Sequence, residues 1–365
     1  MEGFQLEKYL SNGVENIVKG IVKAAVKNPR ASLFMMQYAK ESKKARKKRI
    51  EAEERGEHIP PFLIASITNQ CNLHCKGCYA RANHSCFDSG NQQHPGILQA
   101  EEWNRIFEEA AELGIGFILL AGGEPFLRKD VLEAAGTQKK ILFPVFTNGT
   151  MLDEDYLKLF SENRNLLPVL SIEGNQKTTD DRRGTGVYEQ LQETMNRLQE
   201  RGIMFGTSVT VQKDNMEEVL SKEFTGRLQQ YGCKAVVYVE YVPMDDSTKH
   251  LAFDEESRNR MTEALNEKRL QEEEMLFISF PGDEKTSGGC LAAGRGFFHI
   301  NAFGGAEPCP FSPYSDTSLR EVSLKEALQS PLFLKLQKNG NLLEEHIGGC
   351  VLFEQKEEVE RLLRG

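Results

Sequence analysis

Six short apolar stretches, each followed by a loop and an amphipathic helical pattern, constrain the fold of this 365-residue chain more than any other feature. Strands that alternate with helices build a parallel sheet with right-handed crossovers. Six such units are too few for a complete eight-stranded barrel. We therefore predict an α/β fold, a partial (β/α)6 barrel of the TIM type, with strands at 62–68, 116–121, 142–147, 167–172, 204–211 and 235–242.

The segments on either side of this repeat differ from it in composition. We predict a basic amphipathic helical segment over residues 1–60, the barrel over 61–250, a highly charged bridging helix or linker over 251–287, and a small domain of a β-hairpin and helices over 288–365. No apolar stretch approaches the roughly 18–20 residues that cross a bilayer, and the first residues lack a signal-peptide pattern. We expect a cytoplasmic protein.

Positive charge is concentrated at the N-terminus. The net charge is −9, but residues 1–50 hold twelve Lys and Arg against four Glu. The acidic remainder argues against nucleic acid as a substrate. In the basic segment, one helical face carries an apolar stripe, and two interpretations of it stay open. Either a helical hairpin packs on the protein body, or a helix lies on an anionic membrane surface. The stripe consists of Val14, Ile17, Val18, Ile21 and Val22.

Three cysteines directly follow the first predicted strand, in the pattern Cys71-x3-Cys75-x2-Cys78. In a reducing cytoplasm, eight cysteines are better explained by ligation than by disulfides. A loop with this spacing can direct three thiolates to an iron–sulfur cube and leave the fourth iron without a protein ligand. The spacing alone also fits a zinc site completed by His74 or Cys86.

Glycine and polar residues follow the next three predicted strands. They are Gly122-Gly123-Glu124-Pro125, the sequence Thr-Asn-Gly-Thr at 147–150, and Ser-Ile-Glu-Gly at 171–174. Glycine lets the backbone approach a ligand closely, and a carboxylate accepts hydrogen bonds from an ammonium group or a ribose hydroxyl. Because the carboxyl ends of parallel strands meet at one edge, we expect a ligand site there, beside the cysteines.

A second set of cysteines lies near the C-terminus, in the pattern Cys290-x18-Cys309-x40-Cys350. Residues 294–301 and 304–310 predict a β-hairpin with a glycine turn. Such a hairpin brings Cys290 and Cys309 to the same end, as a shared metal requires. A redox-inert or zinc-bound tail is the alternative.

Over about residues 62–245 the chain resembles radical S-adenosylmethionine (SAM) enzymes. The resemblance rests on the Cys71-x3-Cys75-x2-Cys78 motif with its following Tyr79, and on Gly122-Gly123-Glu124-Pro125. It implies that the three cysteines hold a [4Fe–4S] cluster whose open iron is chelated by SAM, and that Glu124 receives the methionyl ammonium. Arg182 is an alternative to Arg183 near the SAM carboxylate. The implied cofactor-binding residues are Tyr79, Gly122, Gly123, Glu124, Pro125, Asn148, Ser171, Glu173, Arg183 and Thr210.

The C-terminal segment resembles the SPASM/twitch extensions of many radical SAM enzymes, which bind auxiliary iron–sulfur clusters. The full SPASM pattern has seven cysteines and two clusters. Three cysteines here imply one auxiliary [4Fe–4S] cluster on Cys290, Cys309 and Cys350, with Cys86, Cys233 or a histidine as candidates for the fourth ligand. Cys86 is either a catalytic hydrogen-atom donor or redox thiol, or an ordinary loop cysteine.

The resemblance implies an oxidoreductase or maturase-type enzyme. Such an enzyme reductively cleaves SAM to a 5′-deoxyadenosyl radical and abstracts a hydrogen atom from a peptide or small-molecule substrate. A reductant such as flavodoxin or ferredoxin would supply the electron. The alternative is a non-catalytic iron–sulfur redox sensor or scaffold, which would not cleave SAM. No residue indicates the substrate itself.

Overall fold

The computed structural model describes residues 6–25, 29–90, 96–244, 246–271, 275–280, 289–338, 340 and 350–364. Its strands are β1 (Phe62–Thr68), β2 (Gln70–Cys71), β3 (Phe87–Asp88), β4 (Phe117–Gly122), β5 (Phe143–Thr147), β6 (Leu166–Ser171), β7 (Gly206–Val211), β8 (Ala235–Glu240), β9 (Leu276–Phe280), β10 (His299–Ile300) and β11 (Ala306–Glu307).

The helices cover the sheet and its ends. They are α1 (Leu6–Ala25), α2 (Pro29–Glu54), α3 (Tyr79–Ala82), α4 (Ala100–Leu113), α5 (Lys129–Thr137), α6 (Glu154–Glu162), α7 (Gln176–Arg183), α8 (Val187–Glu200), α9 (Met216–Val219), α10 (Lys222–Gln230), α11 (Glu255–Gln271), α12 (Leu324–Ala327), α13 (Pro331–Lys338), α14 (Val351–Glu354) and α15 (Lys356–Arg364).

One large sheet organises the described residues, with the strand order β11-β10-β1-β4-β5-β6-β7-β8-β9. Strands β1 and β4 to β9 run parallel, β10 is parallel to β1, and β11 is antiparallel to β10. All six predicted strands are present, and the predicted α/β fold is confirmed. The predicted C-terminal hairpin is also present as β10 and β11.

Helix α4 illustrates how the sequence specifies these crossovers. It begins in a capping box, in which Gln99 and Glu102 exchange hydrogen bonds with each other's backbone, and it ends at Gly114 in a left-handed conformation (φ +89°). Both signals satisfy backbone groups that a helix end leaves unpaired. Between them, one apolar stripe is wholly buried against the sheet. The stripe consists of Trp103, Ile106, Phe107 and Ala110.

Strand β9 lies within residues 251–287, where the sequence predicts a bridging helix or linker. It pairs in parallel with β8, in register Ala235 to Leu276. The preceding α11 is the crossover that connects the two strands, and it buries Met261 and Leu265 despite its high charge. The strand is only five residues long, and it follows a segment in which charges obscure the helical period. The partial barrel therefore has seven parallel strands from β1 to β9 instead of six.

The two ends of this parallel array approach each other through aromatic rings. Phe297, just before β10, stacks on Phe62 of β1 with ring centroids 5.2 Å apart. The same ring lies 5.6 Å from Phe280 of β9. The sheet therefore curls strongly enough for one side chain to contact the first and last parallel strands, as in a barrel with a gap.

The N-terminal helices pack on the protein body. Val18 and Ile21 of α1 and Met35 and Tyr38 of α2 are buried in a cluster with Phe117 and Leu142, at the start of the strands. The Tyr38 hydroxyl donates to the Gly116 carbonyl at 2.7 Å. The structure thus has the packed helical hairpin that the sequence left as one of two interpretations. No helix among the described residues is both long and apolar enough to cross a bilayer.

Adjacent methionines of α2 test this packing. Met35 is 2% exposed in the cluster, whereas Met36 is 67% exposed. We expect Met35→Ala to lower the free energy of unfolding by about 2–5 kcal/mol, because it removes buried methylenes and leaves a cavity. Met36→Ala is the matched control and should change it by less than about 0.5 kcal/mol. Urea unfolding followed by circular dichroism measures both. Equal effects would contradict a packed hairpin.

Candidate active site

The cysteine loop, residues 71–78, lies at the carboxyl end of β1. It starts at the short strand β2, which pairs with β3, and it ends at α3. All eight cysteines of the chain are free of disulfides. No three His, Cys, Asp or Glu side chains within the described ranges converge closely enough to hold a single metal ion. His74, which the zinc interpretation offered as a ligand, is exposed and pairs with Asp88 at 2.7 Å.

Cys71 is polarised by its surroundings. Its pKa is lowered to about 6, chiefly by a hydrogen bond from Cys86 and further by the Leu73 N–H and the nearby Arg81, although burial works against ionisation. The same hydrogen bond, together with burial, raises the pKa of the Cys86 thiol. Burial also raises the pKa of Cys75. Cys71 is thus predisposed to the thiolate form that ligates metals, and the donor set suits an iron–sulfur cluster.

The glycine turn, residues 122–125, packs closely against the residues that lead into the cysteine loop. A Cβ on Gly122 would lie 2.3 Å from the Thr68 carbonyl oxygen, and one on Gly123 would lie 1.9 Å from that of Gln70. Gly122 also has a φ of +123°, which favours glycine. The Gly123 N–H donates to the Thr68 carbonyl (3.0 Å) and the Glu124 N–H to that of Gln70 (2.7 Å). No other residue type fits this close approach.

Glu124 is buried and accepts three hydrogen bonds. Its Oε1 accepts from the Thr147 hydroxyl (2.6 Å) and the Phe126 N–H (3.0 Å), and its Oε2 accepts from the Asn148 N–H (2.8 Å). Burial raises its pKa to about 7, while these hydrogen bonds work in the opposite direction. A carboxylate has about four lone-pair directions. Glu124 therefore joins β4 to β5 and retains one acceptor position, and its predicted contact with an ammonium stays a prediction.

Asn148 connects the end of β5 to the cysteine loop. Its Nδ2 donates to Asn72 Oδ1 at 2.8 Å, and its Oδ1 accepts from the Thr150 backbone and hydroxyl. Asn72 in turn donates to the Thr150 hydroxyl at 2.9 Å. Sequence reasoning did not identify Asn72, although it stands inside the cysteine motif. The two amides and the hydroxyl form a closed polar triangle beside Cys71.

Glu173 is a buried carboxylate that contacts two arginines of the site. It is 1% exposed and lies 2.5 Å from Arg183 Nη2 and 3.2 Å from Arg182 Nε, and it also accepts from the Thr210 N–H at 3.0 Å. Arg182 and Arg183, which the sequence offers as alternatives near the SAM carboxylate, therefore both contact the Glu173 side chain. Burial opposes the charge of Arg183, but Glu173 and Cys75 raise its pKa.

These arginines also reach the cysteine loop. Arg183 Nη1 donates to Cys75 Sγ at 3.8 Å, and the Lys76 N–H donates to the Arg182 carbonyl at 2.8 Å. Ser171 is partly exposed, and its hydroxyl lies 3.2 Å from that of Ser208 on β7. The predicted residues at the ends of β1, β4, β5, β6 and β7 are thus brought to one edge of the sheet.

The cysteines of the second group are buried close to one another. Cys290, Cys309 and Cys350 are all buried, and the pKa of Cys309 is raised by its hydrogen bond with Cys350, by burial and by Cys290. Cys233 instead contacts Thr207 of β7 and the Ala235 carbonyl at the start of β8. The fourth-ligand role considered for it gains no support from these contacts.

The two cysteine groups are neighbours. Tyr79, which follows Cys78, packs on Phe311 with ring centroids 4.9 Å apart, and burial raises its pKa, as do Cys78 and Cys309. Asn83 Nδ2 donates to the Pro310 carbonyl at 3.2 Å. Tyr79 therefore lies between the groups. Cys86 is buried against Cys71, and its catalytic role stays a prediction.

Comparison with known proteins agrees with this arrangement. The model of the radical SAM superfamily matches residues 65–221. The Fe-coproporphyrin III synthase of Methanosarcina barkeri is 31% identical over 162 residues, which cover 44% of this chain and 39% of that protein. The AdoMet-dependent heme synthase of the same organism is 28% identical over 81% of this chain and 89% of its own length. The sporulation killing factor maturation protein SkfB of Bacillus subtilis is 29% identical over 44% of this chain and 38% of its own length.

Solved structures share the fold. Streptococcus suis SuiB bound to its precursor peptide SuiA superposes with a TM-score of 0.63 and 18% identity, over 81% of this chain and 71% of SuiB. Native anSMEcpe with bound AdoMet gives a TM-score of 0.59 and 17% identity, over 84% of this chain and 99% of that protein. The cysteine motif, the glycine turn, the fold and the superfamily match coincide on the same residues. Residues 65–221 therefore form a radical SAM domain.

Proposed function

We propose that this protein reductively cleaves SAM and abstracts a hydrogen atom from a bound substrate. The substrate would lie in the space inside the curled sheet, which we call the lumen. When bound, a [4Fe–4S] cluster on Cys71, Cys75 and Cys78 supplies the electron that cleaves the sulfonium. One observation carries the proposal. The cysteine loop contacts both the glycine turn and the Glu173–arginine group, so a ligand at the cluster meets donors and acceptors from five strand ends.

The residues around the loop would orient SAM. Glu124 has one acceptor direction left for the methionyl ammonium, and the arginines paired with Glu173 offer donors for the carboxylate. Ser171 would contact the methionine or ribose end of SAM and Thr210 its ribose or adenine, while Asn148 holds the loop in place. These groups are fixed by protein hydrogen bonds before any ligand arrives. Such preorganisation costs no rearrangement at the moment of reaction.

We infer a second, auxiliary cluster on Cys290, Cys309 and Cys350. The support is their common burial, their mutual contacts and the contact of Tyr79 with the segment that follows Cys309. A flavodoxin or ferredoxin is the expected reductant, and it would approach the exposed residues His74 and Lys76 of the cysteine loop. Membrane association stays a weaker proposal. It would use the exposed outer face of α2, where Leu33 and Met36 lie beside lysines.

Iron content tests both clusters. After anaerobic reconstitution we expect about eight irons per chain, and about four after the triple change Cys71→Ala, Cys75→Ala and Cys78→Ala. The triple change of Cys290, Cys309 and Cys350 should likewise leave about four irons. With SAM and dithionite, only the first variant should lose 5′-deoxyadenosine completely. A protein that keeps all its iron but forms none of this product would favour the sensor alternative.

The Glu173–arginine group can be tested against a matched pair. Glu154 also bridges two arginines, Arg197 and Arg201, but it is 66% exposed at the surface. Glu173→Gln leaves two buried guanidinium groups without their counter-charge, and removing one partner of a buried pair costs about 3–5 kcal/mol. We expect at least tenfold weaker SAM binding by equilibrium dialysis. Glu154→Gln should leave SAM binding unchanged, since exposed pairs contribute little. Equal effects of the two substitutions on SAM binding would contradict a role for Glu173 in the binding site.

Two substrate classes are supported by the relatives. The heme synthases align with about four fifths of this chain and with 79–89% of their own lengths, whereas SkfB and the PqqA peptide cyclases align with 44% of it. Similarity that extends beyond the barrel into the C-terminal region favours a small molecule of the tetrapyrrole class. A ribosomal precursor peptide is the second candidate, because SuiB, with its peptide, shares the fold over 81% of the chain.

Ligand binding and SAM cleavage, measured together, separate these classes. We expect Fe-coproporphyrin III to bind the reconstituted protein with micromolar affinity, seen as a shift in its absorption band, and to raise the rate of 5′-deoxyadenosine formation. A PqqA-type peptide should do neither. Stimulation by the peptide alone would reverse the order of the two candidates.

A further inference from the structure

Three hydrogen-bonded side chains, Ser66, His299 and Glu307, form a series along the wall of the barrel. The Ser66 Oγ lies 2.7 Å from His299 Nε2, and His299 Nδ1 lies 2.6 Å from Glu307 Oε2. His299 and Glu307 are each 5% exposed. The three residues come from β1, β10 and β11, so only the pairing of the C-terminal hairpin with β1 assembles them.

Glu307, the last side chain of this series, is held in place by further hydrogen bonds. Glu307 Oε1 accepts from Asn301 Nδ2 at 2.6 Å, and Asn301 Oδ1 accepts from the N–H groups of Phe303 and Gly305, both at 2.9 Å. A buried carboxylate on Nδ1 keeps the proton on that nitrogen and leaves Nε2 as an acceptor. The Ser66 hydroxyl then donates to Nε2. Its oxygen is thereby polarised, as in other serine–histidine–carboxylate arrangements.

Ser66 faces the inside of the curled sheet. Side chains alternate along a strand, and Leu63, Ala65 and Ile67 of β1 are wholly buried on the helix side. Ser66 projects from the other face and is partly exposed. It pairs across the sheet with Ala121, the residue before the glycine turn. At the other end, Glu307 is two residues from Cys309. The chain of hydrogen bonds therefore lies between the two cysteine groups.

We propose that Ser66 is a catalytic acid–base group of the lumen, with His299 as its proton acceptor and Glu307 as the positioning residue for His299. An acidic N–H or O–H of the substrate gives its proton to Ser66 Oγ while Ser66 passes its own proton to His299 Nε2. The charge of Glu307 stabilises the resulting imidazolium. No electron is transferred in this step, and the reverse step returns the proton. The proposal rests on the proposed function in placing the substrate in the lumen.

The test uses diisopropyl fluorophosphate, a small reagent that reacts with activated serines. A bond forms between Ser66 Oγ and phosphorus, the P–F bond breaks, fluoride leaves, and the Ser66 proton goes to His299. We expect one adduct per chain, located at Ser66 by peptide mass spectrometry. Ser171 and Ser208 are internal controls, since these lumen hydroxyls bond to each other instead of to an imidazole. They should stay unmodified.

Substitutions separate activation from simple exposure. We expect Ser66→Ala to abolish the adduct and His299→Asn to slow its formation at least 100-fold, because general-base assistance contributes about 10²–10⁴-fold. Glu307→Gln keeps the shape of the side chain and should slow it about tenfold, with an unchanged circular dichroism spectrum. Wild-type protein unlabelled at Ser66, or labelling at equal rates in His299→Asn, would overturn the proposal. The assay needs neither SAM nor cluster, so its outcome is independent of SAM cleavage.

Discussion

The close approach of the glycine turn to the end of β1 is the constraint on which the site depends. Two backbone hydrogen bonds link the turn to Thr68 and Gln70, directly before the cysteine loop, and no side chain fits at this approach. Cys71 therefore takes its position from β4 as well as from β1. A substitution at Gly122 or Gly123 would displace the carbonyl groups of Thr68 and Gln70, and with them the first ligand of the loop. Gly123 also passes close to the Cys71 backbone, so the glycines hold the loop in place through backbone contacts alone.

The balance of charges around the cysteine loop is a second constraint on the site. Around the cysteine loop, Cys71 and the buried Glu173 are opposed by Arg182, Arg183 and Arg81. Inside a protein, such groups interact far more strongly than in water, and an unpaired one is costly. The arginines therefore contribute to the stability of the loop itself. Cys86 belongs to the same network, because its hydrogen bond with Cys71 and its burial raise the pKa of its thiol.

Much of the fold follows from the sequence, for identifiable reasons. The strands β1 and β4 to β8 are apolar stretches between helical patterns, and the cysteine and glycine motifs lie at one edge of the sheet. The radical SAM domain, the enzyme class and the SAM and [4Fe–4S] cofactors could therefore be predicted and are confirmed. Strand β9 could not, since its five residues follow a helix whose charges hide its buried side.

Contacts between distant segments are the part that the sequence did not reveal. Glu307 was seen only as part of a hairpin, and nothing in its neighbourhood indicates that it would meet Ser66 through His299, because that contact spans 233 residues. Asn72 was overlooked for a similar reason, since its partners Asn148 and Thr150 lie on another strand end. Local patterns report which edge is active, whereas the pairing of side chains across the sheet depends on register.

The C-terminal hairpin has a consequence for the integrity of the whole sheet. Without β10, strand β1 would present a row of unpaired N–H and C=O groups, and exposed strand edges are templates for aggregation. Phe297 further covers the gap between β1 and β9. The cysteine-bearing extension is thus also the edge protection of the barrel. A fragment confined to the superfamily-matched residues 65–221 would lack β8 to β11 and expose β7 as well as β1.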